Sequence, residues 1–173
     1  TQPVLSFSAL DRRGLDHIRI QIEHLQQACR GKSRILPFQL WIDRIRGVQG
    51  FGTVVSGTVL SGKVKENDAL VVLPPGMETR VRSLEGHHKR VPEAVAGQRV
   101  GISLHKVQLQ DVDRGMLLTV PGTVLGSRYI NVDLSVLAGA KKPLKNGQKV
   151  KMYLGTSVAN TRVVLMEGEH MAP

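Results

Sequence analysis

The serines within the β-branched runs of this chain are the first residues to consider for chemistry, and their context does not favour catalysis. Ser56, Ser61 and Ser103 all lie in such runs. A serine becomes a nucleophile when an adjacent base accepts its proton and a third group orients that base. We find no Ser–His–Asp arrangement and no pair of carboxylates around these serines, so the sequence predicts no catalytic constellation.

A metal site is equally disfavoured by the spacing of its candidate ligands. His87 and His88 are adjacent, and neighbouring residues at the end of a strand point to opposite sides. His105 and the single cysteine, Cys29, lie elsewhere in the sequence and form no ligand motif with them. We therefore expect no metal site, and one cysteine also excludes an internal disulfide framework.

Gly50, Phe51 and Gly52 superficially resemble a nucleotide-binding loop. A dinucleotide fingerprint requires a strand before the glycines and a helix after them. Here a β-branched run over residues 53–60 follows instead. We interpret the two glycines as turn and bulge residues.

The overall charge points to a polyanionic partner. Of the 173 residues, 24 are Lys or Arg and 14 are Asp or Glu, which gives a formal net charge of +10. Such an excess favours nucleic acid first and an anionic membrane surface second. The positive charge is spread along the chain, which leaves open the alternative of a simply basic domain. No apolar run approaches the ~20 residues needed to span a bilayer. Among partners we expect nucleic acid and no membrane.

Hydrophobic periodicity divides the chain into a short helical start and a long β region. Leu15, Ile18, Ile22 and Leu25 recur at helical spacing, and residues 4–10 before them predict a short strand. From Pro37 onward, Gly, Pro, Asn and Asp separate short β-branched runs. The predicted strands are 37–45, 51–61, 69–73, 79–85, 99–105, 117–120, 127–137, 148–155 and 159–166. Short, closely spaced strands predict small barrels or a sandwich, with a core of Val, Leu and Ile because aromatic residues make up only 3%.

Five motifs in order identify a family. GFGTVVSGTV, LSGKVKENDALVVLPPG, VRSLEGH, AVAGQRVGISL and DRGMLL resemble domain 2 of translational GTPases, the barrel that holds the aminoacylated end of a tRNA. The pair Asp43-Arg44 narrows the resemblance to selenocysteine-specific elongation factors of the bacterial type. The resemblance predicts a mainly β fold with two consecutive small barrels, the second truncated, preceded by a strand–helix remnant of a GTPase domain.

The resemblance also implies a division into three parts. Residues 1–34 would be the end of the G domain with a linker, in which Ser8, Ala9 and Leu10 resemble the last guanine-binding motif. Residues 35–121 would form the domain 2 barrel, with Pro121-Gly122 as its boundary. Residues 122–173, including LKNGQKVKMYLGTSVANTRVVLM, resemble an incomplete domain 3.

Carried over by position, the aminoacyl pocket of this family falls on Asp43, Arg44 and Arg99. A selenol is more acidic than a thiol and is ionised at neutral pH, whereas the serine of the precursor tRNA is neutral. Two guanidinium groups facing the side chain would favour the anion through charge-assisted hydrogen bonds. Asp43 would either orient an arginine or accept a hydrogen bond from the α-amine. Taken singly, each arginine is equally typical of an exposed strand residue, and the surrounding motifs decide between these interpretations.

Two further sets of residues follow from the resemblance. Phe51, Gly52 and Thr53 would line the groove for the 3′ end of the tRNA. The lysines near the C-terminus would contact the tRNA backbone, although a solvated hairpin explains them equally well. The predicted contacts are Lys141, Lys142 and Lys145, within a basic set that also includes Lys149 and Lys151.

The phosphate-binding loop and the NKxD guanine motif do not occur in this sequence, and we find no DxxG switch, because the one DxxG string, residues 11–14, is interpreted as the turn before the helix. We therefore expect no enzyme activity from this segment, while the full-length parent would use GTP and Mg²⁺. The parent would be a cytoplasmic monomer that delivers selenocysteinyl-tRNA to ribosomes at UGA codons. Recognition of the mRNA hairpin would require C-terminal domains that lie outside these residues.

Two other functions stay open. The GTPase subunit of a sulfate adenylyltransferase is built on similar barrels, but it would not need arginines at positions 44 and 99. A general aminoacyl-tRNA carrier has a longer domain 3 than this sequence suggests. A general carrier would also have an acid and an Asn where this chain has Arg44 and Arg99.

Overall fold

The computed structural model describes residues 4–28 and 35–172. The chain forms two compact units, Thr1–Lys32 and Ser33–Pro173. The predicted division into 1–34, 35–121 and 122–173 stays a prediction. Among the described residues, no helix is both long and apolar enough to cross a bilayer.

The first unit contains the predicted helix, α1, at Leu15–Ala28. Gly14 precedes it with φ +82°, and a side chain there would collide with the carbonyl oxygen of Ser6. The predicted strand over residues 4–10 is wrong, because the chain there is irregular and then turns. Backbone groups of a strand need a paired neighbour, and the described residues of this unit provide none.

The regular structure of the second unit consists of strands, as predicted, and one 3-10 helix at Leu109–Asp111. The strands are β1 Gln39–Trp41, β2 Arg44–Val48, β3 Gly52–Ser61, β4 Lys63–Lys65, β5 Ala69–Leu73, β6 Met77–Gly86, β7 Lys89–Arg90, β8 Glu93–Val95, β9 Arg99–Leu104, β10 Leu117–Thr119, β11 Leu144–Lys145, β12 Lys149–Leu154, β13 Ser157–Arg162 and β14 His170–Met171.

Six of these strands close into a barrel, which confirms the predicted fold class. All pairings are antiparallel and run in the order β1, β10, β5, β6, β9 and β3, and β3 pairs with β1 to complete the ring. The barrel interior holds aliphatic side chains, as the low aromatic content predicts. Its most deeply buried members include Leu40, Ile42, Val55, Val59, Val72, Ile102 and Leu118.

The predicted strand over 37–45 is in fact two strands, β1 and β2, that belong to different parts of the sheet. β1 pairs with β10 and β3, whereas β2 pairs only with β3. Ile42 and Asp43 lie between the two strands, outside either ladder. The alternation of apolar residues continues through this break, which is why the sequence does not reveal it.

Beyond the barrel the described residues form two separate two-stranded pairings, β11 with β14 and β12 with β13. The predicted strand over 127–137 is wrong, because no strand forms there. Tyr129 is 91% exposed and Val132 is 63% exposed. Alternating apolar residues favour a strand only where a neighbouring strand and a core can receive them.

Gly57 generates a prediction about stability. A Cβ at this position would collide with the carbonyl oxygen of Trp41 and lie 2.7 Å from Cδ2 of Leu40, where β1 crosses β3. We expect Gly57→Ala to lower the free energy of unfolding by about 1–3 kcal/mol through overpacking, as measured by urea denaturation.

Gly86→Ala is the matched control for that substitution. The nearest atom to a Cβ at Gly86 is Cγ1 of Val91 at 3.6 Å, an ordinary contact. We expect a change within about 0.5 kcal/mol there. Equal effects of the two substitutions would contradict a steric requirement at Gly57.

Candidate binding site on the outer face of the barrel

The predicted pocket residues lie on one outer face formed by β2, β3 and β9. Antiparallel register places Arg44 opposite Ser56, and Ser56 opposite Gly101. Arg99 lies opposite Thr58 on the same two strands. Since successive residues of a strand alternate between faces, these side chains share the face opposite to the buried Val55 and Ile102. The structure therefore brings Arg44 and Arg99 to one surface.

Asp43 and Arg99 form a bidentate ion pair on this surface. Nη2 of Arg99 donates to Oδ1 of Asp43 at 2.8 Å, and Nη1 donates to Oδ2 at 2.5 Å. The hydrogen bonds to Asp43 raise the pKa of Arg99 above its already high ordinary value. Asp43 thus contacts one of the two arginines, while its role towards the α-amine of a bound amino acid stays a prediction.

Arg44 differs from Arg99 in having no carboxylate within ion-pairing distance among residues 4–28 and 35–172. The same holds for Arg46, two residues further along the same strand face. The Asp43–Arg99 pair carries no net charge, so Arg44 supplies the uncompensated positive charge beside it. Among the described residues, this face therefore carries two cations without an ion pair, Arg44 and Arg46, next to one oriented guanidinium.

Ser56 and Gly101 form the floor between the two arginines, and sequence reasoning did not select either as a site residue. Ser56 is only 6% exposed although it belongs to the outer face. A Cβ at Gly101 would lie 3.6 Å from Oγ of Ser56 and 3.6 Å from Cγ1 of Val54. A side chain at position 101 would therefore make only ordinary contacts, so backbone crowding does not require a glycine there. Alternation along β3 was the signal that could have identified Ser56.

The predicted 3′-end groove falls on the β2–β3 hairpin. Phe51 is 54% exposed, and its carbonyl oxygen accepts a hydrogen bond from Oγ of Ser103 at 2.6 Å. Gly52 has φ +75° and open space around it. Thr53 is 4% exposed and shares the inward face with Val55, so its side chain does not line a surface groove. The groove prediction therefore rests on Phe51 and Gly52.

One apolar residue that the sequence did not single out joins Phe51 at this hairpin. Val48 is 38% exposed, and its carbonyl oxygen accepts a hydrogen bond from the backbone N–H of Phe51 at 3.0 Å. We call Val48 and Phe51 the apolar patch. Leu109, in the 3-10 helix, approaches Gly47 instead, where its Cδ2 would lie 3.7 Å from an added Cβ, and Gly47 faces the side of β2 opposite to Val48.

The predicted tRNA-backbone lysines do not form one surface element. Lys141 and Lys142 lie in a bend and are exposed, while Lys145 is in β11 opposite His170. A more regular set lies on the β12–β13 hairpin, where Lys149 is opposite Arg162. Lys151 is on the same exposed face of that hairpin. We call Lys149, Lys151 and Arg162 the basic ladder.

The guanine-motif residues lie in the turn before α1. The backbone N–H of Ser8 donates to the carbonyl oxygen of Arg13 at 3.1 Å, and Leu10 is 98% exposed. Hydrogen bonds from Ser8 and Arg13 lower the pKa of Asp11. The guanine-binding role of Ser8, Ala9 and Leu10 stays a prediction.

The described part of the chain brings no three His, Cys, Asp or Glu residues together in a way that could hold a metal ion. Cys29, one of the ligands considered above, lies outside the described residues. His87 and His88 occupy the β6–β7 turn, both with positive φ.

Comparison with known proteins places the barrel in a family. Residues 52–119 match the family described as elongation factor Tu domain 2. Among curated proteins, the selenocysteine-specific elongation factor of Desulfomicrobium baculatum is 27% identical over 171 residues, and that of Haemophilus influenzae (strain ATCC 51907 / DSM 11121 / KW20 / Rd) is 30% identical over 166 residues. The barrel resembles domain 2 of elongation factor Tu, and the chain as a whole is similar to selenocysteine-specific elongation factors. The resemblance proposed from the motifs is thereby confirmed.

Solved structures agree with this assignment for the elongation-factor domain. The crystal structure of a bacterial selenocysteine-specific elongation factor, EF-Sec, matches 98% of this chain with a TM-score of 0.81 and 26% identity. The apo elongation factor SelB from Methanococcus maripaludis matches 94% with a TM-score of 0.74 and 29% identity. The chain covers 28% and 37% of those two chains.

The matched curated relatives are much longer than this chain. The matches cover 99% and 95% of the chain but only 27% and 26% of the two relatives. The chain thus spans about a quarter of their length.

The interaction free energy between Asp43 and Arg99 should be measurable in this chain without tRNA. The side chains are 25% and 54% exposed, so solvent screens the attraction. We expect a double-mutant cycle with Asp43→Ala and Arg99→Ala, followed by urea unfolding, to give a coupling of about 0.5–1 kcal/mol.

A second cycle provides the control. Arg46 lies on the same strand as Arg44 and makes no ion pair with Asp43. The coupling between Arg46→Ala and Asp43→Ala should be close to zero. A coupling between Asp43 and Arg99 no larger than this control would contradict the bidentate pair.

Proposed function

We propose that this chain is the tRNA-binding part of a selenocysteine-specific elongation factor. In the complete protein it would hold the aminoacyl end of selenocysteinyl-tRNA, which the factor delivers to the ribosome at UGA codons. The complete protein would depend on GTP and Mg²⁺ bound outside this segment. The observation that carries the proposal is the oriented Arg99 beside the uncompensated Arg44 on a barrel of the elongation factor Tu domain 2 family.

The chemistry of the amino acid fits this arrangement. The selenolate is an anion, while the hydroxyl of serine is neutral. Arg44 provides an attractive charge that only the anion can use. Arg99 has five N–H groups and directs two of them to Asp43, which leaves others available as fixed donors. Gly101 presents no side chain next to Ser56, which leaves space on this face for the side chain of the amino acid.

The arginines should therefore control selectivity between selenocysteine and serine. In the complete factor, Arg44→Ala or Arg99→Ala should reduce the preference for selenocysteinyl-tRNA over the seryl form by about 1–3 kcal/mol, the value of a hydrogen bond to a charged group. Lys at either position should restore part of it, because the charge remains while the planar fork is lost. The measurement is the affinity of each variant for both aminoacylated forms at one salt concentration.

A double variant that also removes Asp43 tests the selectivity prediction further. Removing Arg99 alone leaves the Asp43 carboxylate unpaired and repelling an anionic side chain. Asp43→Ala combined with Arg99→Ala should therefore be more selective than Arg99→Ala alone. If Arg44→Ala and Arg99→Ala weaken both aminoacylated forms equally, the pocket assignment fails and the arginines act only on the tRNA backbone or the scaffold.

The apolar patch suits the end of the tRNA. Nucleobases stack on aromatic side chains with little preference among the bases. Phe51 presents such a side chain at the β2–β3 hairpin, with Val48 beside it. We assign the terminal base of the tRNA to this patch, with the open backbone at Gly52 allowing close approach.

The tRNA backbone would contact the cations beyond the barrel. We assign this role to the basic ladder in addition to Lys141, Lys142 and Lys145. Lys149, Lys151 and Arg162 form no ion pair with the acidic residues in 4–28 and 35–172. Each cation that neutralises a phosphate releases counterions and steepens the dependence of affinity on salt.

Salt dependence should identify these contacts. Replacing Lys149, Lys151 and Arg162 by Ala should reduce the slope of log affinity against log salt by about 2–3, at roughly 0.7–0.9 per phosphate contact. Replacing Lys141, Lys142 and Lys145 should act in the same direction. Neither triple variant should change the preference between the two aminoacylated forms.

A triple variant elsewhere in the barrel unit controls for net charge. Lys63, Lys89 and Lys106 are exposed and lie on β4, on β7 and after β9. Changing all three to Ala removes the same charge, and the salt slope should stay the same. If this control lowers the slope as much as the ladder variant, the effect reports overall charge and the ladder makes no specific contact.

A further inference from the structure

The turn of the β12–β13 hairpin contacts the barrel at the point where β1 ends. Oγ1 of Thr156 donates to the carbonyl oxygen of Ile42 at 2.7 Å. Gly155, with φ +59°, packs so closely under Trp41 that an added Cβ would collide with the indole ring. The contact is therefore both a hydrogen bond and a steric fit.

A second glycine completes this contact from the barrel side. Gly115 has φ +96°, and a Cβ there would lie 2.8 Å from Cα of Ser157. Its backbone N–H donates to the same carbonyl oxygen of Ile42, at 2.9 Å. The carbonyl of Ile42 thus accepts one hydrogen bond from the barrel and one from the hairpin.

The peptide unit held by these bonds is the one that carries Asp43. Its oxygen, on Ile42, is held by Thr156 and Gly115, and its N–H, on Asp43, donates to the carbonyl oxygen of Ser56 at 2.9 Å. A peptide unit is planar, so fixing both of its ends fixes the position of the Asp43 Cα, from which the side chain leaves the backbone. The Asp43 carboxylate in turn holds the guanidinium of Arg99.

We propose that Thr156 is a positioning residue for the Asp43–Arg99 pair and that the β12–β13 hairpin is thereby coupled to amino-acid recognition. The basic ladder lies on the same two strands as this turn. A phosphate backbone bound to the ladder and a side chain bound at Arg99 would then stabilise the same hairpin position. The recognition part of this inference rests on the proposed function, whereas the positioning part does not.

The positioning part is tested in the complete, ligand-free factor. Thr156→Val keeps the shape of the side chain and removes the hydroxyl. Hydrogen–deuterium exchange of residues 42–44 should become about five-fold faster, as expected for the loss of one neutral hydrogen bond. Thr156→Ser keeps the hydroxyl and should retain slow exchange.

A threonine on the same hairpin provides the matched control. Oγ1 of Thr161 lies 3.4 Å from the carbonyl oxygen of Val150, on the strand that pairs with its own. Thr161→Val removes a hydroxyl from the hairpin far from the turn. Exchange of residues 42–44 should stay unchanged in this variant.

The recognition part is tested by the affinity ratio for selenocysteinyl-tRNA and seryl-tRNA. Thr156→Val should lower this ratio about three- to five-fold, because Arg99 is less well oriented. In an Asp43→Ala background it should have no further effect, since the residue through which it acts is gone. Thr161→Val should leave the ratio unchanged.

Each outcome decides one part. If Thr156→Val leaves the hydrogen–deuterium exchange of residues 42–44 unchanged, the positioning role is overturned, whatever the tRNA affinities are. Faster exchange with an unchanged affinity ratio would overturn the coupling and leave Thr156 as a structural contact. If Arg44→Ala and Arg99→Ala also leave the ratio unchanged, the proposed function fails, while the exchange result still decides the role of Thr156.

Discussion

The closure of the barrel through β1 is the constraint on which the rest of the structure depends. β1 has only three residues, yet it pairs with β10 on one side and with β3 on the other. Its register against β3 shifts, so that Gln39 and Leu40 oppose Ser61 and Val59. The extra residue of this bulge is Leu60, on β3, and a bulge bends the strand that carries it. The chain ends β1 at Trp41 and pairs with β3 again from Arg44, so Asp43 lies in the short break between the two strands, where it meets Arg99.

The sequence predicts where helices and strands form better than it predicts which strands and side chains pair with one another. The helical spacing of Leu15, Ile18 and the later apolar residues correctly gives α1, and the β-branched runs of the barrel give its strands. Residues 4–10 and 127–137 show similar local patterns but form no strand, because a strand is stable only with a neighbour. The Asp43–Arg99 pair joins residues 56 positions apart. Without the family motifs, nothing in either local sequence distinguishes it from two exposed charges.

The pairing of Arg99 with Asp43 changes how the site would distinguish an anion. Two free guanidinium groups would attract any anion, including phosphate, without fixing its position. Arg99 held by two hydrogen bonds has little side-chain freedom left to lose, so its remaining donors favour one direction. In return, Asp43 neutralises the charge of Arg99. The remaining attraction for an anion comes from the unpaired Arg44. Arg99 would thus fix the position of a bound anion, and Arg44 would supply the net positive charge that attracts it.

This division also explains why the hairpin contact matters. A free charge such as Arg44 acts over several ångströms and tolerates small movements of the backbone. A directional donor such as Arg99 does not, because hydrogen bonds weaken steeply as their angle departs from linear. Its direction is set by Asp43, whose peptide is held by Thr156 from outside the barrel. The half of the site that depends on direction is therefore also the half that the β12–β13 hairpin supports.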